Sequence, residues 1–162
     1  YEKSINGGYF YGVKMVRGAY MEQERERALE NNYPSPIHDT KDDTDNCYDE
    51  GLRFCMINNE KIALCAGTHN EDSNRLLTNL ITEFKLKKNH PTITFAQLYG
   101  MSNHITFNLS DKGYNVAKYL PYGPVKSVIP YLFRRAKENT SITGQTTREL
   151  RLIKKELKRR KI

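Results

Sequence analysis

Long apolar runs are missing from this sequence. Only 38% of its 162 residues are apolar, and the mean hydropathy is −0.74, so no stretch is expected to span a bilayer. Its first residues lack the charged and apolar blocks of a secretory leader. Cysteine is scarce. Cys47, Cys55 and Cys65 form neither a CxxC pair nor a zinc spacing, which excludes a disulfide framework and suits a reducing compartment. All three read as small hydrophobes. His38, His69, His90 and His104 are scattered, so no metal site is expected. A glycine-rich dinucleotide fingerprint, a phosphate-binding loop and an HExxH pair are all absent, as are internal repeats and low-complexity segments.

The net charge of +7 points to nucleic acid until it is located. Residues 147–162 hold eight basic and two acidic side chains, which is six of the seven net charges. A basic tail is implied, not a basic domain surface. Nucleic-acid binding needs basic groups spread over a face with aromatics between them, so no nucleic-acid partner is expected. Leu150, Ile153 and Leu157 recur at helical spacing. The tail, residues 146–162, therefore reads as a basic helix with one apolar stripe. It either docks on its own domain or touches an anionic membrane surface.

Four short apolar runs have strand length: "GVKMV" (12–16), "KIALCA" (61–66), "TITFAQL" (92–98) and "NVAKYL" (115–120). Helical patterns lie between or after them, at 21–31, 42–58, 70–88, 102–111 and 125–140. Strand alternating with helix predicts parallel strands and right-handed crossovers. The long loop "NNYPSPIHDT" (31–40) carries two prolines and no periodicity. Loops of that length are often functional. Four β/α units are half of an eight-stranded barrel, which takes about 250 residues. The expectation is an α/β chain, residues 1–145 forming the C-terminal half (strands five to eight) of a (βα)8 barrel, followed by the basic helix. A chain of that kind leaves two strand edges unpaired, so it would self-associate or need the missing half.

In such architectures the site forms at the carboxyl ends of the strands. There the sequence places Arg17, Gly18, Ala19 and Tyr20, then Gly67, Thr68, His69 and Asn70, then Gln97, Leu98 and Tyr99, then Lys118 and Tyr119. Hydrogen-bonding groups, small residues and aromatics suit a flat polar cofactor. Each also has a plainer role. The glycines serve turns, Thr68 or Asn70 caps a helix, His69 is a satisfied surface histidine, and the tyrosines are core or rim aromatics. Cys65 sits inside an apolar run and reads as buried and inert.

The stretch "YLFRRAKEN" (131–139) brings two arginines together. On a helix, Tyr131, Arg134, Arg135 and Glu138 fall within an arc of about 100°. Val128, Ile129, Leu132, Phe133 and Ala136 fill the adjoining arc, so the arginines border an expected buried face. Glu138 can pair with either arginine. The net positive spot suits a carboxylate or phosphate; a surface ion pair is the plainer reading. A phosphate-acting barrel would want a glycine-rich loop after the last strand, and "PYGPVKS" has one glycine and two prolines.

Taken together, "KMVRGAYMEQERERA", "GTHNEDS", "FAQLYGM", "KYLPYGPV" and "YLFRRAKEN", in this order, resemble the catalytic domain of the proline dehydrogenase (proline oxidase) family, in particular its monofunctional, mitochondrial-type members. The resemblance runs from about Gly12 to Arg160. It implies an FAD-dependent barrel that oxidises L-proline to Δ1-pyrroline-5-carboxylate and passes electrons to a quinone. By the same resemblance, Arg134 and Arg135 bind the proline carboxylate and Glu138 steadies them. Tyr119 and Tyr131 enclose the substrate ring, with Leu98 packed beside it. Lys14 faces flavin N5 and, with Tyr119, is the catalytic pair. Val16, Gly18 and Tyr20 contact the flavin, Thr68, His69 and Asn70 hold the adenine end, and Gln97 joins the cofactor set. A lysine, an aspartate and a flavin-contacting glutamine of the family come from earlier strands, which implies that this chain alone holds FAD weakly and is inactive. The implied location is cytoplasmic and peripheral at the inner membrane, or mitochondrial in a eukaryote. The alternative is a β/α-barrel enzyme acting on another carboxylate or a phosphate.

Overall fold

The structure is a computed structural model that describes residues 1–141 and 145–160; the side chains of 134–149 and of Leu152, Ile153 and Glu156 lie outside the described residues. The chain forms two compact units, Tyr1–Leu120 and Pro121–Ile162.

The first unit carries the sheet. Strands β1 (Tyr11–Met15), β2 (Ile62–Gly67), β3 (Ile93–Leu98) and β4 (Val116–Tyr119) lie in that order, all parallel. Helices α2 (Met21–Glu30) and α3 (Lys41–Ile57) connect β1 to β2, α4 (Glu71–Glu83) connects β2 to β3, and α5 (Asn103–Asp111) connects β3 to β4. Each strand matches an expected run to within one or two residues. A short helix α1 (Glu2–Gly7) precedes β1 and was not expected, because six residues with no apolar period give no helical signal.

One face of the sheet is the core. Alternation sends Ile62, Leu64 and Ala66 of β2 and Ile93 and Phe95 of β3 to the same side. There they meet Leu52, Cys55 and Met56 of α3, Leu77, Leu80 and Ile81 of α4, and Ile105 and Leu109 of α5. Phe95 is fully buried and meets Tyr114 edge-on at 5.5 Å between ring centres. The opposite alternation set of the strands carries the small residues Ala63, Gly67 and Ala96 together with Lys14, Leu98 and Tyr119.

Helix α4 stops earlier than its apolar pattern. The expected span ran to Lys88, but Phe84 ends the helix and Lys85 takes a left-handed φ of 55°. Asn70 starts it, its Oδ1 accepting from the backbone N–H of Asp72 at 2.9 Å and of Ser73 at 3.0 Å. A cap of this kind stabilises a helix by about 1 kcal/mol.

The second unit contains α6 (Val125–Ser141), with Pro130 inside it, and α7 (Gln145–Arg160). Its described residues include no strand. Of the buried face expected along α6, Val128 is half-buried among the described residues. Ile129, Leu132 and Phe133 are 43%, 49% and 65% exposed. An apolar arc is buried only where another layer lies on it, and the described part of this unit supplies no sheet to do so.

Candidate active site

Lys14 sits in β1 between Val13 and Met15, which pack against the core. Strand alternation therefore turns Lys14 to the other face. Leu98 and Tyr119 are register partners at the ends of β3 and β4 on that same face. The Lys14 ammonium reaches across the sheet to lie 4.5 Å from the centre of the Tyr119 ring. The space between is kept open by small side chains at Gly67 and Ala96. At Gly67 an added Cβ would meet the Met15 carbonyl oxygen at 3.0 Å and Val16 Cγ1 at 3.1 Å. A side chain there would need the Met15 backbone or Val16 to give way by a few tenths of an ångström.

The segment after β1 has its own constraint. Gly18 and Tyr20 both have positive φ, 67° and 57°. Tyr20 is the first residue before α2, and its ring is exposed, as is Val16. A tyrosine in the left-handed region is uncommon, and such residues gather at functional sites.

The segment after β2 is tightly bonded. Thr68 is buried; its backbone N–H donates to the Ala96 carbonyl at 3.1 Å and its Oγ1 accepts from the Asn70 N–H at 3.1 Å. His69 Nδ1 is 2.9 Å from Ser102 Oγ. Asn70 is the α4 cap already described, one of the plainer roles the sequence allowed. His104 Nε2 lies 2.9 Å from Glu71 Oε1 one turn outward.

Gln97 departs from its expected role. Its side chain points to α5, on the core side, where Oε1 accepts from Thr106 Oγ1 at 2.9 Å and Nε2 donates to the Thr68 carbonyl at 3.3 Å. With 2% of its surface exposed and both ends of the amide engaged, it braces the β2 loop from within and does not face a ligand. The sequence placed it correctly at a strand end, but a one-residue step along a strand reverses the face.

Cys65 is the register partner of Lys14. It is half-buried, and Cys47 is exposed, so only Cys55 is the buried small hydrophobe expected of all three. Burial pushes the Cys65 thiol up, with the nearby Lys14 charge pulling the other way. Tyr131 lies on α6, half-buried. Arg134, Arg135 and Glu138 lie on the same helix, and their side chains are outside the described residues. Among the described residues no cluster of His, Cys, Asp or Glu could hold a metal ion. No described helix is long and apolar enough to cross a membrane.

Two interactions were not anticipated. Lys118 turns to the core side and donates to the carbonyls of Leu98 and Met101, tying β4 to the turn before α5. Arg17 pairs with Asp45 of α3, donates to Ser73 Oγ of α4 at 2.6 Å, and lies 4.2 Å from the centre of the Tyr48 ring. The only local signal for this network is the pair of carboxylates Asp45 and Asp49 one helical turn apart.

These features define a parallel β/α protein with a basic, small-residue-lined face beside loops held in fixed shapes. The comparisons carry this further. The model of the family described as "Proline dehydrogenase" matches residues 1–148. "Proline dehydrogenase 2, mitochondrial" of Arabidopsis thaliana is 45% identical over 152 residues, covering 92% of this chain and 32% of the relative. "Proline dehydrogenase 1, mitochondrial" of Homo sapiens is 42% identical over 156 residues, covering 94% and 26%. "Hydroxyproline dehydrogenase" of Xenopus laevis is 39% identical over 157 residues, covering 94% and 34%. Among solved structures, proline utilization A from Bdellovibrio bacteriovorus, inactivated by N-propargylglycine, superposes with a TM-score of 0.80 at 26% identity, over 91% of this chain and 15% of that one. The chain belongs to the proline dehydrogenase family. It spans about a quarter to a third of the length of the curated relatives it matches.

Proposed function

We propose that the protein carrying this chain oxidises L-proline to Δ1-pyrroline-5-carboxylate, with FAD as cofactor. The observation that carries the reading is the Lys14 ammonium over the Tyr119 ring, on the face of the sheet that the core helices leave uncovered. Family membership supplies the reaction class.

The residues present fit a flat polar cofactor. Gly67 and Ala96 keep the centre of the face low, Gly18 and Tyr20 hold an unusual backbone at its rim, and Lys14 adds a positive charge. In this reading Lys14, Val16, Gly18 and Tyr20 hold the flavin end, and Thr68, His69 and Asn70 the adenine end. Bound there, FAD would supply the hydride acceptor for oxidation of the proline ring.

The rest of the reading concerns this chain's own side chains. Lys14 favours negative charge developing close to it. Tyr119, Tyr131 and Leu98 enclose the substrate ring and exclude water. Arg134 and Arg135 fix the proline carboxylate through forked hydrogen bonds, and Glu138 holds the pair in place. A carboxylate held at two points presents one ring carbon, which is how positioning contributes to rate. We assign a quinone as the electron acceptor and a mitochondrial location in a eukaryote. The architecture we assign is the second half of a barrel, with the basic helix α7 as a surface that can meet a membrane. We propose a functional division at 1–145 and 146–162.

The full-length protein should be yellow, and L-proline should bleach it without oxygen. Colour that survives L-proline but is lost with hydroxyproline would move the substrate to that of the Xenopus laevis relative's name. Colour that survives both would overturn the reading.

A further inference from the structure

Arg17 does not face the sheet surface that carries Lys14. It turns toward α3 and α4 and is mostly buried, with 17% of its side chain exposed. One nitrogen of its guanidinium pairs with Asp45, and the other donates to Ser73 Oγ at 2.6 Å. Ser73 Oγ in turn donates to Asp49 Oδ1 at 2.5 Å, and Asp49 lies 3.9 Å from the same guanidinium. The Tyr48 ring covers its face at 4.2 Å. Lys41 also pairs with Asp45, so the second carboxylate oxygen is engaged as well. The guanidinium therefore joins three elements that are far apart in sequence: the β1 exit, the outer helix α3 and the first turn of α4.

What the two inner elements carry gives this joint a consequence. Arg17 directly precedes Gly18 and lies three residues before Tyr20, both held at positive φ. Ser73 follows Thr68, His69 and Asn70, and its own N–H donates to the Asn70 cap. We infer that Arg17 is a positioning residue that couples the 16–20 loop to the 68–73 loop, so that the two halves of the cofactor cradle take one fixed spacing. The inference rests on the proposed function for what the loops hold, but not for their coupling. A fork geometry is required, because one planar group must meet a carboxylate and a hydroxyl at fixed angles while stacking on a ring. Lysine offers a point charge and cannot do all three.

The test uses the full-length protein with Arg17→Met, Arg17→Lys and Ser73→Ala, the last removing a single hydroxyl. Amide exchange is followed by mass spectrometry in peptides covering 16–21 and 68–74, without added FAD. FAD affinity is then measured by titration, and the proline KM after reloading. Arg17→Met and Ser73→Ala should each speed exchange in both segments together. They should weaken FAD binding about tenfold, the scale of one charge-assisted hydrogen bond, with the reloaded KM for proline within about twofold of the parent. Arg17→Lys should restore part of both effects. Faster exchange confined to the mutated segment, or unaltered FAD affinity with faster exchange, would overturn the coupling. A parent protein that takes up no FAD would refute the proposed function, and the exchange measurement would still decide whether the loops are joined.

Discussion

The ammonium of Lys14 and the ring of Tyr119 meet at 4.5 Å although their strands are the two edges of the sheet, with β2 and β3 between them. Gly67 and Ala96, both small, lie between them on this face. A cation over an exposed tyrosine contributes about 0.5–1 kcal/mol. A basic group at the mouth of a parallel sheet has a functional reading.

The arginine pair gives the first prediction. Arg135→Met in the full-length protein keeps an apolar stem and removes charge-assisted hydrogen bonds worth about 1.5–3 kcal/mol. The proline KM should rise roughly ten- to a hundredfold, and Arg135→Lys should recover only part of it. Flavin content should stay near the parent's. Steady-state kinetics with a flavin assay checks both. An unchanged KM would return the pair to a helix surface, and lost flavin with normal KM would make it a cofactor clamp.

Asn70 separates a capping role from a ligand role. Asn70→Ala removes the acceptor for two backbone N–H groups and should cost about 1 kcal/mol of stability. Asn70→Asp keeps the acceptor at a helix N-terminus and should unfold at nearly the parent's denaturant midpoint. Weaker FAD binding in the aspartate variant, at unchanged stability, would show the amide itself at work on the cofactor.

The sequence made the strands plain and left the faces less so. Short β-branched runs bounded by glycine and proline located all four strands. The face that each residue takes depends on register, and there Gln97 went to the core side, onto Thr106. Arg17 was invisible as a joint because its partners Asp45 and Ser73 lie 28 and 56 residues away. Its neighbour Gly18 drew attention instead. The apolar arc of α6 was read as buried from periodicity alone, yet Leu132 and Phe133 are exposed. Periodicity reports what a helix could bury, not whether its own unit supplies the surface.

Burial pushes the Cys55 thiol above its ordinary value. Its folded pKa is raised, so its contribution to stability is complete below the ordinary thiol range and is lost as pH rises through the raised value. Stability should therefore fall on the alkaline side, and Cys55→Ala should flatten that fall. In native protein, exposed Cys47 should react with a thiol reagent well before Cys55. Equal reaction rates would contradict the core placement.

The outer edges of β1 and β4 have no strand partner among the described residues. Unpaired edges of a parallel sheet invite pairing with another chain. The 162-residue chain expressed by itself should self-associate, and light scattering should show a mass above that of one chain. A monodisperse monomer across a wide concentration range would count against this.

In the proposed function, proline is oxidised at the face carrying Lys14 and Tyr119. The most direct measurement is the rate at which L-proline reduces the bound flavin in one anaerobic turnover, in the full-length protein and in Lys14→Met reloaded with FAD. Rapid reduction is expected in the parent. The rate should be about ten- to a hundredfold lower in the variant even at saturating proline, the cost of removing one fixed charge from beside the reacting atoms. Equal rates in the two proteins, or no reduction by L-proline in the parent, would contradict it.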